Sequence, residues 1–305
     1  MQSNTLAVWL MAVLSVFFWG SNFNAAAVLV GHLSPLSAAA ERFTVAIGLM
    51  LLWRLLRGRP ETRLTGTDIL VLSALGLIGV FGFNFAFFEG MRQTSPLNGA
   101  LIMATSPLVT ALLTGWLLQT PIRRLQGVGI VVSLAGVSLV VTGGHLHDLH
   151  VAPGDLDMML ACLCWSLYSV LVKKFAGHVH PIQLTRWTLG AGVLCLWIVA
   201  AFTSDPLAEL RQLPLDHHLL LVYMAVFGSI LAYVMFLNAV QVIGPGRIAL
   251  VFNLVPVFTL IIGLAFGHAP DSAQVFGMML VFAGVIVGSG ALNGLVPSRR
   301  LVADT

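Results

Sequence analysis

The chain has 305 residues, of which 58% are hydrophobic and only 9% charged, with a mean hydropathy of +0.95 and a net charge of +3. A soluble protein carries roughly 25% charged residues, so a water-soluble globule is excluded. A nucleic-acid binder is excluded too, because the basic residues sit in short loops and build no folded basic face.

The apolar residues come in runs of about twenty, the length that crosses a hydrocarbon core of roughly 30 Å. Ten helices are predicted, at 7–29, 36–56, 68–90, 96–118, 125–143, 156–176, 182–203, 217–239, 246–267 and 273–292. The polar stretches 57–68, 143–157 and 204–218 are loop-sized and leave no room for a soluble domain.

The first helix holds Ala25-Ala26-Ala27, which looks like a signal-peptide cleavage site, but residues 1–6 lack the basic start of such a peptide. The segment is therefore expected to stay. Trp19 falls near its middle, followed by the polar break Gly20-Ser21-Asn22-Phe23-Asn24. Membrane tryptophans usually sit at the interface, as Trp9, Trp53, Trp116 and Trp187 do near predicted helix ends. Trp19 and, later, Trp165 break that rule. Asn22 and Asn24 at this depth must bond another helix, a wet cavity or a solute.

The second helix opens on Ser34-Pro35, a capping hydroxyl before a proline suited to the first turn. It carries Glu41 and Arg42, which as adjacent helical residues need not pair. Arg42 either snorkels to the headgroups or serves a solute or a gate. The third helix brings Asn84, and Glu89 with Arg92 at the i,i+3 spacing of a surface ion pair. The fourth opens on Ser95-Pro96 and is interrupted by Pro107, which removes a backbone hydrogen bond and frees a carbonyl around Met103. The fifth carries Gly127, Gly129 and Gly136, small residues suited to close helix packing, within the chain or between two chains. His145, His147 and His150 crowd the next loop, but nothing completes a metal site there. In the sixth helix Trp165 and Tyr168 lie at mid-span. Cys162, Cys164 and Cys195 form no ligand set and are expected to pack. The seventh brings Arg186, the eighth Tyr233, the ninth Asn253 and a second interrupting proline, Pro256, and the tenth Gly277, Gly284 and Gly288.

The second half repeats the first. Trp19, Gly31, His32 and Pro35 recur about 146 residues later as Trp165, Gly177, His178 and Pro181. Gly79, Phe87, Pro96, Ala100 and Pro107 recur about 149 residues later as Gly228, Phe236, Pro245, Ala249 and Pro256. A repeat of five spans enters the membrane from the opposite side the second time. The expected fold is therefore an all-α integral membrane protein of two inverted five-helix repeats, 1–145 and 146–305, with a site at their interface. Placing both termini in the cytoplasm puts eleven basic residues in cytoplasmic segments: Arg54, Arg57, Arg59, Arg63, Arg123, Arg124, Lys173, Lys174, Arg247, Arg299 and Arg300. Only Arg92 and Arg211 fall on the other side, which is the bias that sets orientation.

These features point to a transporter of small molecules working by alternating access. The predicted solute site is Trp19, Asn22, Asn84, Trp165, Tyr168, Tyr233 and Asn253, with Pro107, Pro256, Arg42 and Arg186 as kinks or gates. Such a lining suits uncharged or zwitterionic amphipathic solutes, and its rings also hold organic cations. No catalytic set, cofactor or metal is expected; GxSxG, Walker and HExxH motifs are absent from the sequence. With no acidic residue identified at mid-span, facilitated movement is favoured over proton coupling. A proton-coupled exporter of drugs or organic cations, a channel and a membrane enzyme are the alternatives. The expected partners are the solute and lipid, with the chain a monomer or homodimer.

Phe18-Trp19-Gly20-Ser21-Asn22, Glu41-Arg42-Phe43, Ser95-Pro96 with Gly99-Ala100-Leu101-Ile102 and Pro107, and Gly244-Pro245 with Ala249-Leu250 and Pro256 carry a resemblance. Over nearly its whole length the chain resembles the drug/metabolite transporter superfamily, specifically its EamA family. It looks most like the YddG-type branch, whose members export aromatic amino acids. The resemblance implies export, a bacterial inner-membrane location and aromatic amino acids among the solutes. The family commonly carries a Glu just after the fourth and ninth spans; here those places read Leu118-Gln119-Thr120 and Phe266-Gly267-His268.

Overall fold

The computed structural model describes residues 5–29, 32–57, 62–94, 96–145, 152–203, 205–267 and 270–289. Among the described residues, ten helices are long and apolar enough to cross a membrane. They are α1 (Thr5–Ala26), α2 (Leu36–Leu56), α3 (Gly66–Gln93), α4 (Gly99–Leu117), α5 (Arg124–Thr142), α6 (Asp155–Phe175), α7 (Pro181–Thr203), α8 (Leu215–Ile243), α9 (Pro245–Leu264) and α10 (Ser272–Ser289). The ends fall within a few residues of those predicted. A short helix, Pro206–Gln212, was not predicted. Its Asp205 side chain accepts from the Ala208 amide at 3.1 Å and a proline fills its first turn, a cap-and-proline start written in the polar stretch.

The chain turns apolar side chains outward and keeps polar ones inside. Leu55, Leu56, Trp116, Leu156 and Phe202 are exposed, while Ser15, Asn84, Thr188 and Ser229 are buried. In lipid, apolar surface gives no reason for two helices to meet, so small residues and hydrogen bonds hold the bundle together. The pair α5 and α10 shows this directly. A Cβ on Gly129 would stand 2.3 Å from the Gly288 Cα, and one on Gly136 would stand 2.6 Å from the Val281 nitrogen. A Cβ on Gly284 would stand 2.5 Å from the Ser133 nitrogen. As the number rises along α5 it falls along α10, so these repeat equivalents run antiparallel. The glycines serve packing within the chain, and Gly127 takes no part in it, having nothing within 4 Å of its Cβ position.

α1 packs between α8, to which it runs antiparallel, and α9, to which it runs parallel; its repeat mate α6 packs in the same way between α3, antiparallel, and α4, parallel, and α2 packs along α7. The helices flanking α1 and α6 are irregular at matching places. In α3 the segment Leu77–Gly82 is a π-helix, and in α8 Met224–Leu231 is another. In α4 the helix breaks at Thr105, whose amide bonds back to the Ile102 carbonyl at 3.0 Å. In α9 Ala249–Asn253 tightens to 3₁₀. Both breaks lie just before Pro107 and Pro256, each of which lacks the amide that would continue the ladder.

At the other edge of the fold, α3 starts with a capping box. The Thr65 hydroxyl accepts from the Asp68 amide at 3.1 Å, and the Asp68 carboxylate accepts from the Thr65 amide at 2.8 Å. Asp68 also meets His178 at 3.0 Å, tying this end of α3 to the α6–α7 turn. Thr65→Ala is expected to cost about 1 kcal/mol, read as a lower unfolding temperature in detergent.

Candidate functional site

The site grows from two tryptophans. Trp19 on α1 and Trp165 on α6 meet edge to face, centroids 5.2 Å apart and planes at 83°. Three rings touch both of them. Tyr233 lies 5.7 Å from Trp19 and 6.0 Å from Trp165, Phe236 lies 5.0 and 5.4 Å away, and Phe252 lies 5.7 and 5.6 Å away. Phe83 adds a contact of 5.6 Å to Trp165, and Phe43 one of 6.3 Å to Tyr233. Each aromatic pair contributes about 0.5–1.5 kcal/mol beyond burial, so the cluster is a principal bond between the halves. Trp165 is only 4% exposed.

The polar groups beside the rings depend on the π segments. Trp19 donates Nε1–H to the carbonyl of Gly228, inside the π segment of α8, at 3.0 Å. Asn22 lies on the same glycine, where a Cβ would stand 1.6 Å from its Nδ2, and its buried Oδ1 has no partner. Tyr168, the repeat mate of Asn22, lies on Gly79 in the π segment of α3, a Cβ there standing 2.2 Å from the ring. Its hydroxyl meets the Thr188 hydroxyl at 3.3 Å. A π-bulge offsets the helix ladder and commonly marks a functional position; here it lets a neighbour press on a bare glycine.

Of the residues singled out from sequence, Trp19, Trp165, Tyr168 and Tyr233 come together, with Asn22 beside them. Asn84 is buried and donates to the Val80 carbonyl of its own helix at 2.6 Å. Asn253 turns to α5, donating to the Ser133 hydroxyl at 2.9 Å. Asn24 bonds across to the Thr259 carbonyl of α9 at 3.1 Å. Arg186 is buried, while Arg42 is half-buried, its guanidinium carbon 4.4 Å from the Phe43 ring centre. Glu89 and Arg92 form the expected pair at 3.1 Å. Cys162 is buried, with Cys164 and Cys195 half-buried. His147, His150, Arg59, Arg299 and Arg300 lie outside the described residues; among the described residues no group of three or more His, Cys, Asp or Glu is placed to hold a metal.

Sequence reasoning missed the phenylalanines of the cluster, Phe43, Phe83, Phe236 and Phe252. Phe236 stood in the repeat series, a usable signal. That reasoning named Glu41 beside Arg42 but gave it no role; the residue is 4% exposed with both carboxyl oxygens enclosed and unpartnered.

The aromatic centre draws on residues far apart in the sequence, Trp19 on α1 and Trp165 on α6. The sequence model of the EamA-like transporter family matches twice, at residues 6–142 and 152–289. The chain belongs to this family. It is similar to the uncharacterised transporter YyaM of Bacillus subtilis, 37% identical over 94% of this chain and 95% of that protein. An uncharacterised transporter of Archaeoglobus fulgidus is 27% identical over 90% and 95% of the two chains. The uncharacterised inner membrane transporter YedA of Escherichia coli is 28% identical over 93% and 91%. A crystal structure of another protein, 19% identical, superposes with a TM-score of 0.76 over 95% of this chain and 98% of that one, which shows the fold alone. The EamA protein is thus a multi-pass membrane transporter.

Proposed function

We propose that the protein exports small amphipathic solutes, aromatic amino acids foremost, across a bacterial inner membrane by alternating access. The observation that carries this reading is the contact of Trp19 on Trp165, two repeat mates from opposite halves, with Tyr233 against both. A solute drawn between these rings would meet flat apolar faces plus the Asn22 amide and the Tyr233 hydroxyl. That chemistry suits a ring-bearing zwitterion and also tolerates an organic cation. It offers little to a phosphorylated solute, which needs several cations, and the cations near the spans' interior are Arg42 and Arg186.

In this reading the halves, 1–145 and 146–305, rock about the α5–α10 contact. Both termini face the cytoplasm, as the lysine and arginine bias requires. The α1–α2 turn and the short helix Pro206–Gln212 then face the outside. The direction, export, rests on the likeness to YddG-type transporters. The test is a liposome counterflow panel of amino acids, purines and organic cations with the purified protein. Saturable exchange of L-tryptophan or L-phenylalanine is the expected result. Movement of purines alone, or unsaturating ion currents, would overturn the solute class or the transporter mechanism respectively.

A further inference from the structure

Glu41 lies six residues past Pro35, about 9 Å along its helix. It is 96% enclosed, and neither carboxyl oxygen has a hydrogen-bond partner. At the offset of 146 that relates Pro35 to Pro181 its repeat mate is Trp187, so the acid belongs to one half alone. A polar column leads from it toward the surface. Ser37 stands one turn earlier on the same face of α2. The Ser34 hydroxyl donates to the Ser37 hydroxyl at 2.7 Å, and the Ser34 amide donates to Glu209 Oε2 at 3.1 Å. Glu209 belongs to the short helix and lines a cavity of about 320 Å³ with His32, Asp205 and Gln212.

The charged neighbours do not neutralise Glu41. Arg42 follows it on α2 but leaves both its oxygens unpartnered, and the buried Arg42 Nε also has no partner. Glu209 opposes it with like charge. On α8, Asp216 pairs with His217 at 3.0 Å, His217 meets His32 edge to face, His218 is half-buried, Tyr223 bonds Ser21 at 2.6 Å, and Tyr233 belongs to the ring cluster. On α3, Glu89 is taken by Arg92. The adjoining end of α7, residues 196–203, carries no titratable side chain. A carboxylate taken out of water with no cation or donor is strongly disfavoured.

We infer that Glu41 is a proton-binding site linked to solute movement, holding its proton while the α1–α2 end is packed and releasing it when that end opens. On release the carboxyl O–H bond breaks, and the proton passes by the Ser37 and Ser34 hydroxyls to water in the cavity at Glu209, leaving a hydrated carboxylate. The reverse path reloads it. This inference rests on the transport reading above and replaces facilitated movement with proton-linked movement.

Two measurements on the full chain test it. In lipid nanodiscs, infrared pH-difference spectra should show a protonated-carboxyl band that vanishes as pH rises. Glu41→Gln should remove the band, Glu41→Asp should shift it, and Glu89→Gln should leave it in place. Identical spectra for wild type and Glu41→Gln would overturn the site. In liposomes, an imposed gradient of one pH unit should drive about tenfold accumulation of L-tryptophan if one proton accompanies each solute. Glu41→Gln should abolish that dependence, and its survival in Glu41→Gln would overturn the linkage. If wild type moves no solute of the panel, the transport reading fails, while the infrared result still decides whether Glu41 holds a proton.

Discussion

Trp165→Ala is expected to slow solute counterflow by tenfold or more while the protein still reaches the membrane. The indole meets Trp19, Phe83, Phe236, Phe252, Tyr233 and Tyr168 at centroid distances of 5.2 to 6.1 Å. At about 0.5–1.5 kcal/mol per aromatic pair, losing two pairs from a bound state already amounts to roughly tenfold. Truncating a buried tryptophan also removes about 3–5 kcal/mol of packing, so stability has to be followed alongside transport. Trp165→Phe separates the two effects, because it keeps a ring at the centre and should recover most of the rate. Counterflow of labelled L-tryptophan, beside size-exclusion profiles of each variant, is the check. Full activity in a well-folded Trp165→Ala protein would remove the ring cluster from the solute path.

Gly136→Ala should lower the unfolding temperature sharply, and Gly127→Ala should not. The two glycines are nine residues apart on α5 and look alike in the sequence. At Gly136 an added Cβ would stand 2.6 Å from the Val281 nitrogen and 2.7 Å from the Gly277 carbonyl oxygen. Both are backbone atoms, so relief requires moving a whole helix. Overpacking of this kind costs about 1–3 kcal/mol, and α5 and α10 would have to separate along their length. At Gly127 the space is open, and replacing a helical glycine by alanine gains up to about 1 kcal/mol. Thermal unfolding in one detergent decides it: equal midpoints for Gly136→Ala and wild type would contradict the close approach.

The ten spans and their inversion were legible because their signals are long. Runs of about twenty apolar residues and an ordered series of matches survive local noise, and Trp19 with Trp165 stood out as mid-span tryptophans paired by the repeat. The rest of the cluster was hidden by composition. With 18 phenylalanines in a chain of apolar helices, nothing local separates Phe252 from one that faces lipid. The π segments around Gly79 and Gly228 were unreadable for another reason: the residues packed on those glycines, Tyr168 in one case and Asn22 in the other, come from distant parts of the chain. Asn253 looked like a lining residue because depth says nothing about which way an amide points. The enclosure of Glu41 depends on tertiary cover, which no local pattern in the sequence records.

The α5–α10 contact is self-complementary. Gly129 approaches Gly288, and Gly277, the mate of Gly129, approaches Val140; each half presents the surface that the other reads. A contact of that kind is isologous, the sort two identical molecules make about a twofold axis. Either five-helix unit alone therefore has a ready partner in an upside-down copy of itself, and joining the two in one polypeptide releases them from identity. An acid at Glu41 where the other half has Trp187 is a difference that a symmetric pair of copies could never hold.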